Sequence, residues 1–245
     1  MSGVIIFGGS GGIGSAIAQQ LSERGTPTFL VARDPERLAK VATQVGASGH
    51  VVGDATVLSD VENAFTQATT LWGGVSGVAH CVGSILLKPA HLTTEAEFSS
   101  VISLNLTSAF LVVRTAARTM TEGGSILLFS SAAARIGLAN HEAIAAAKAG
   151  IIGLTLSTAA TYASRKLRCN CIAPGLVKTA LSEKITTNPS AESFSRALHP
   201  LGRLGSPDDI KGLAAILLSE EGSWITGQVF GVDGGLGTLK TKVDV

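Results

Sequence analysis

Within its first fourteen residues the chain passes from an apolar segment, Val4–Phe7, through Gly8-Gly9-Ser10-Gly11-Gly12-Ile13-Gly14 into a segment of helical period. Ile13, Ile17 and Leu21 recur at i, i+4 and i+8, which puts them on one stripe of that helix. A glycine run between a strand and a helix allows a tight turn and close backbone approach, and the free N–H groups of the helix start attract a phosphate. The order strand, glycine turn, helix therefore predicts an α/β architecture with a nucleotide bound at its first turn.

The rest of the chain repeats the alternation. Val4–Phe7, Thr28–Val31, His50–Gly53, Gly77–Cys81, Ser125–Ser130, Arg168–Ile172 and Gln228–Val232 read as strands. Between them Ile13–Glu23, Pro35–Val45, Leu58–Trp72, Phe98–Met120 (one helix or two), His141–Tyr162 and Pro207–Ser219 read as helices. Such alternation gives a doubly wound parallel sheet with helices on both faces. No linker, repeat or charge block divides the chain, so one domain is expected over 1–245, with a cofactor half at about 1–120 and a substrate half at about 121–245. The stretch Lys178–Leu204, broken at Asn188-Pro189 and His199-Pro200, is expected to be irregular. It fits either a mobile lid beyond the strand ends or an ordinary surface excursion.

Composition narrows the function classes. With 45% hydrophobic and 15% charged residues the chain can build a large core. Its 19 basic and 18 acidic residues give no general field for nucleic acid or an anionic membrane. The apolar start is too short for a signal peptide, and the alanine-rich stretch around residues 143–160 carries Lys148, so a cytoplasmic protein with no membrane span is expected. Cys81, Cys169 and Cys171 are too few and too poorly spaced for a disulfide frame or a zinc site. Cys169 and Cys171 fall on one face of a strand, as small buried thiols would.

Arg33 ends the second strand, where an acidic residue would accept hydrogen bonds from a free ribose 2′-hydroxyl. A guanidinium there suits a 2′-phosphate instead, so NADP is the expected cofactor. Asp34 is the competing NAD-type acid, but it also precedes Pro35 as a helix N-cap.

These residues resemble the short-chain dehydrogenase/reductase family, a Rossmann-like oxidoreductase family, over nearly the whole chain and in motif order. Gly8-x-x-x-Gly12-x-Gly14 matches its glycine motif, with Phe7 in place of a threonine. The resemblance implies cofactor contacts from Gly8, Ser10, Gly11, Gly12, Ile13 and Gly14, with Asp54 near the adenine. His80-Cys81-Val82-Gly83 stands where the family has Asn-Asn-Ala-Gly, and only Gly83 is kept. It also implies that Asn105 and Ser131 are active-site residues, that Pro174-Gly175 and Thr179 hold the nicotinamide amide, and that Asp233-Gly234-Gly235 is the C-terminal signature.

The family's central pair is Tyr-x-x-x-Lys, thirteen residues after the serine. From Ser131 that count reaches Ile144, followed at the proper spacing by Lys148, so the lysine is present and the tyrosine is not. Tyr162 is the sole tyrosine and lies about 21 Å along the same helix from Lys148, too far to substitute. In the usual scheme the tyrosine, its pKa lowered by the lysine, protonates a carbonyl oxygen as the cofactor delivers hydride. Three proton routes remain on paper. His141, seven residues before Lys148 on the same helix face and about 10 Å away, is of the residue type that exchanges protons near neutral pH, and its spacing resembles the family's enoyl reductases. It could equally be a solvent-facing helix start. Ser131 could act with a water held by Lys148 and Asn105. Reduction of a conjugated C=C or C=N bond could instead take its proton from water, as the family's tyrosine-variant dienoyl reductases suggest.

The expectation is thus an NADP(H)-dependent oxidoreductase for a small, largely apolar carbonyl, imine or conjugated C=C substrate. Lys148 and Asn105 would hold cofactor and water, Ser131 would polarise the substrate and His141 would be the acid. The rival is a catalytically silent NADP(H)-binding protein; a third alternative makes Ile144 an engineered or accidental replacement in an ordinary ketoreductase. No metal and no nucleic-acid partner is expected. The resemblance implies a homotetramer or homodimer formed by the helices at Asn105–Met120 and His141–Tyr162.

Overall fold

Why the strands read as continuous apolar runs is plain from the computed structural model, which describes residues 2–240: both faces of the sheet are covered. In chain order the elements are β1 (Gly3–Phe7), α1 (Gly12–Glu23), β2 (Thr28–Ala32), α2 (Pro35–Val45), β3 (Gly49–Val52) and α3 (Leu58–Trp72). There follow β4 (Val75–His80), α4 (Glu95–Ile102), α5 (Ser108–Thr119), β5 (Gly124–Phe129) and α6 (Glu142–Tyr162). Last come β6 (Leu167–Pro174), the short α7 (Glu183–Thr186), α8 (Pro189–Leu198), α9 (Asp208–Leu218) and β7 (Val229–Val232). The strands form one parallel sheet in the order β3-β2-β1-β4-β5-β6-β7. The order reverses between β1 and β4, which opens a crevice at their carboxyl ends where ligands of such sheets bind.

One face of the sheet packs Phe7, Val78 and Ile126 against Phe65 of α3, Val112 and Ala116 of α5 and Ile151 of α6. Cys169 and Cys171 lie in the same layer as free, fully buried thiols. The other face packs Ile6, Leu30 and Leu127 against Ile17 and Leu21 of α1, Leu38 of α2 and Ile210 and Leu217 of α9. The α1 stripe is therefore turned to the sheet, with Ile17 and Leu21 buried and Ile13 partly buried beside them. Asp34 accepts a hydrogen bond from Arg37 N–H at 3.0 Å and Pro35 fills the first helical turn, so its carboxylate serves as the N-cap of α2.

Two segments differ from the sequence expectation. The helical stretch 98–120 begins earlier, at Glu95, where Thr94 and Glu97 form a capping box, and it is split by a π-helical turn at Ser103–Thr107. A single inserted residue of this kind leaves the apolar period almost unchanged, so the pattern does not reveal it. The stretch Lys178–Leu204 is not wholly irregular. Asn188 accepts from the N–H groups of Ser190 and Ala191, both at 3.1 Å, and Pro189 opens α8. What reads as a break is a helix start.

Candidate active site

The glycine turn is shaped by contacts that no side chain could share. Gly8 has φ +75°, and a Cβ there would lie 2.9 Å from the carbonyl carbon of Cys81, the residue after β4. A Cβ on Gly14 would collide with the Gly8 carbonyl oxygen, and one on Gly12 would meet the Thr179 methyl at 2.8 Å. The segment after β6 thus closes over the start of α1. The N–H groups of Gly8 and Gly9 donate to Val31 O at 2.8 and 3.1 Å, tying the turn to β2. Helix α1 starts after Gly11 with no side-chain cap, and Ser10 is buried just before it. Uncapped first-turn amides at Gly12, Ile13 and Gly14, in a cradle built mainly of glycine, fit a pyrophosphate.

At the outer end of this crevice Arg33 is exposed at the end of β2, with Nη1 3.8 Å from Asp54 Oδ2. Burial pushes the Asp54 carboxyl up, but the Thr56 backbone and hydroxyl hydrogen bonds, at 2.8 and 2.7 Å, and the Arg33 charge together hold it below its ordinary value. Asp54 thereby stays an anion that steadies Arg33 without engaging it in a close pair.

At the inner end, α6 delivers Lys148 to the tip of β5. Lys148 is buried and its ammonium donates to Phe129 O at 3.0 Å, while Ser130 Oγ donates to Lys148 O at 2.7 Å. Burial pushes the Lys148 ammonium down to about 8, and the Cys171 and Cys81 thiols oppose that only in part. Asn105, fully buried in the π-turn, accepts from Ser84 N–H at 3.1 Å and donates to Ser84 Oγ at 2.8 Å and Val101 O at 3.0 Å. A Cβ on Gly83 would lie 2.9 Å from Asn105 Oδ1 and 3.3 Å from Lys148 Nζ, so Gly83, Asn105 and Lys148 meet at one point. Ser131 follows β5 and accepts from Ala133 N–H at 3.2 Å.

Ile144 is buried with Ala143, Ala147 and Val101, against Leu86, Ile102 and Leu106. His141 stands at the start of α6, its Nδ1 paired with Ala139 O at 2.7 Å. Tyr162 closes the far end of α6 under Arg165, whose guanidinium carbon is 5.3 Å from the ring centroid. Beyond β6, Pro174 ends the strand and Gly175 N–H donates to Val232 O at 3.1 Å.

Residues 8–237 match the family described as Enoyl-(Acyl carrier protein) reductase. The chain is 31% identical over 243 residues to 2-(S)-hydroxypropyl-CoM dehydrogenase 3 of Xanthobacter autotrophicus, covering 95% of each chain. It is 34% identical over 253 residues to a 3-oxoacyl-(acyl-carrier-protein) reductase of Chlamydia pneumoniae, covering 95% of this chain and 96% of that one. Its structure superposes with a TM-score of 0.92, at 30% identity, on a short-chain type dehydrogenase/reductase of Mycobacterium ulcerans, covering 96% of this chain and 90% of that one. The chain belongs to the short-chain dehydrogenase/reductase family. It is an oxidoreductase of a family whose members bind a nicotinamide dinucleotide.

In this short-chain dehydrogenase/reductase the C-terminal signature is a backbone clamp: Asp233 accepts from Gly235 N–H at 2.9 Å and Gly237 N–H at 3.0 Å. The tasks of four residues escape the sequence reading. Ser84 holds Asn105, and its only sequence signal is its place beside Gly83. His80 and Ser108 form a buried pair, Nε2 to Oγ 2.9 Å. His199 is buried under the β6 exit. Its Nε2 accepts from Leu176 N–H at 3.1 Å, so the ring proton lies on Nδ1, which donates to Ser195 O at 2.7 Å. That imidazole ties α8 to the turn at Pro174-Gly175, where a Cβ on Gly175 would sit 2.5 Å from Nε2.

Proposed function

We propose that this protein is an NADP(H)-dependent oxidoreductase that reduces a small, largely apolar substrate bearing a carbonyl, an imine or a conjugated C=C bond, and that it does so without the family's tyrosine acid. The observation that carries this reading is the convergence of Lys148, Asn105 and Gly83 at the end of β5, the strand that Ser131 follows, on the same side of the sheet as the glycine cradle. A bound NADPH supplies hydride there. The uncapped start of α1, with Gly8, Ser10, Gly11, Gly12, Ile13 and Gly14, binds its pyrophosphate. Arg33 binds the 2′-phosphate, with Asp54 behind it, and Pro174, Gly175 and Thr179 bound the nicotinamide end.

Among the described residues the buried Lys148 ammonium has one hydrogen-bond acceptor, Phe129 O, and its other N–H groups hold ribose hydroxyls or a water. Ser131 orients and polarises the substrate. His141, with Nδ1–H fixed on Ala139 O, holds and releases the transferred proton at Nε2. Ile144, Leu86 and Leu106 give the site an apolar wall that admits hydrocarbon and excludes water. The protein works in the cytoplasm as a homodimer or homotetramer.

A second reading, silent NADP(H) binding, draws on one observation. Ile144 fills an apolar cluster four residues before Lys148, where a proton-transferring group would otherwise meet the ammonium. The deciding experiment measures NADPH affinity by fluorescence and then NADPH oxidation against a panel of ketones, enones and imines. Turnover on any class supports the enzyme. Tight binding with no oxidation across the panel supports the silent protein.

A further inference from the structure

The π-turn that carries Asn105 is held by a hydrogen-bond relay from the neighbouring strand. In an α-helix the Ser108 amide would donate to Leu104 O, four residues back. Here it donates to Ser103 O, five back, as the wider turn requires. The Ser108 hydroxyl donates to that carbonyl instead, giving its hydrogen to Leu104 O at 2.7 Å. A hydroxyl has a single hydrogen, so in its 2.9 Å contact with His80 Nε2 the Ser108 oxygen accepts and the imidazole donates. This fixes the His80 tautomer with its proton on Nε2. His80 and Ser108 are both buried, so each bond is made away from competing water.

His80 also sits three residues before Gly83, on the strand whose exit supplies Ser84, the partner of the Asn105 carboxamide. The end of β4 therefore grips the π-turn twice, by His80 on Ser108 and by Ser84 on Asn105. We propose that His80 is a positioning residue, which acts through Ser108 to hold the turn in π register and so aim the Asn105 carboxamide at Ser84 and the Lys148 ammonium. Burial, then the Lys148 charge, pushes the imidazole down to about 3, so the relay stays in its neutral, donating form at all ordinary pH. The inference concerns where Asn105 points, and it stands whether or not the site turns over.

The test uses the full ¹⁵N-labelled chain without cofactor. It follows the Asn105 side-chain amide signal, assigned by its loss in Asn105→Asp, and hydrogen exchange at Ser84 N–H. Ser108→Ala and His80→Leu should each shift the Asn105 signal and speed Ser84 exchange by about tenfold, the order expected for one buried hydrogen bond. His80→Gln, whose Nε2 can donate to Ser108 Oγ, should restore both. If His80→Leu does not fold, Ser108→Ala decides. An Asn105 signal and Ser84 exchange unchanged in folded Ser108→Ala, with only global stability lowered, would make the pair simple core packing and overturn the proposal. So would a folded His80→Gln protein that behaves like Ser108→Ala.

Discussion

Lys148 reaches from the middle of α6 to the Phe129 carbonyl, 3.0 Å away, and none of the ion pairs among the described residues includes it. A buried ammonium satisfied by a carbonyl and no carboxylate is a cost to the fold, kept at a point where Asn105 and Gly83 also converge.

That cost has a pH signature. The Lys148 ammonium titrates near 8 in the folded chain and at its ordinary 10.5 when unfolded. Between those values the unfolded chain holds a proton that the folded chain has released, so stability rises with pH across this window. Below about 8 both states are charged and the full burial cost applies. Lys148→Met should therefore be more stable than the wild type at pH 7, with the difference shrinking toward pH 10.5 in urea melts. The same variant should bind NADPH more weakly. Unchanged affinity would mean that Lys148 merely packs.

Arg33→Ala should weaken NADPH binding by about 1.5–3 kcal/mol, the scale of a hydrogen bond to a charged group, and barely change NADH binding. Titration calorimetry with both cofactors checks it, and an equal loss for both would contradict the assignment of Arg33 to the 2′-phosphate.

Gly14→Ala should open the glycine turn, because its Cβ would press into the Gly8 carbonyl. Overpacking of this kind costs about 1–3 kcal/mol. NADPH affinity should fall with the melting temperature, whereas Gly25→Ala, strained at φ +76° but with a Cβ that meets nothing within 4 Å, should lower the melting temperature and leave affinity unchanged.

How much of this was legible in the residues depends on how local each signal is. The glycine turn, the α1 stripe and the Asp34 cap rest on neighbours within a few positions, and their residue types state their tasks. Lys148 and Asn105 were found through the family's motif spacing, which stands in for tertiary contact. The π-turn was hidden because one extra residue barely disturbs an apolar period. His80 and His199 are ordinary in sequence: their tasks exist only once β4 meets the π-turn and α8 meets the β6 exit. Asn188-Pro189 carries both the signal of a break and that of an N-cap followed by a first-turn proline, and only the backbone decides between them.

His141→Gln should lower turnover on any substrate found by the panel by about 10²–10⁴, the usual worth of a general acid, while NADPH affinity stays level. Stopped-flow NADPH oxidation separates the two quantities. Unchanged turnover would pass the proton role to Ser131 and water.

On the proposed function, Asn105, Ser131 and Lys148 form a reductase site complete except for an acid at position 144. Ile144 and Lys148 are i, i+4 neighbours, about 6 Å apart at Cβ, so a tyrosine at 144 would meet the ammonium. Initial rates of NADPH oxidation with a panel of simple ketones, wild type beside Ile144→Tyr, test this once both are shown to bind NADPH equally. The account predicts that ketone reduction appears or rises by about 10²–10⁴ in the variant, while activity on the native substrate stays level or falls. An Ile144→Tyr protein that folds and binds NADPH yet reduces no ketone would contradict it.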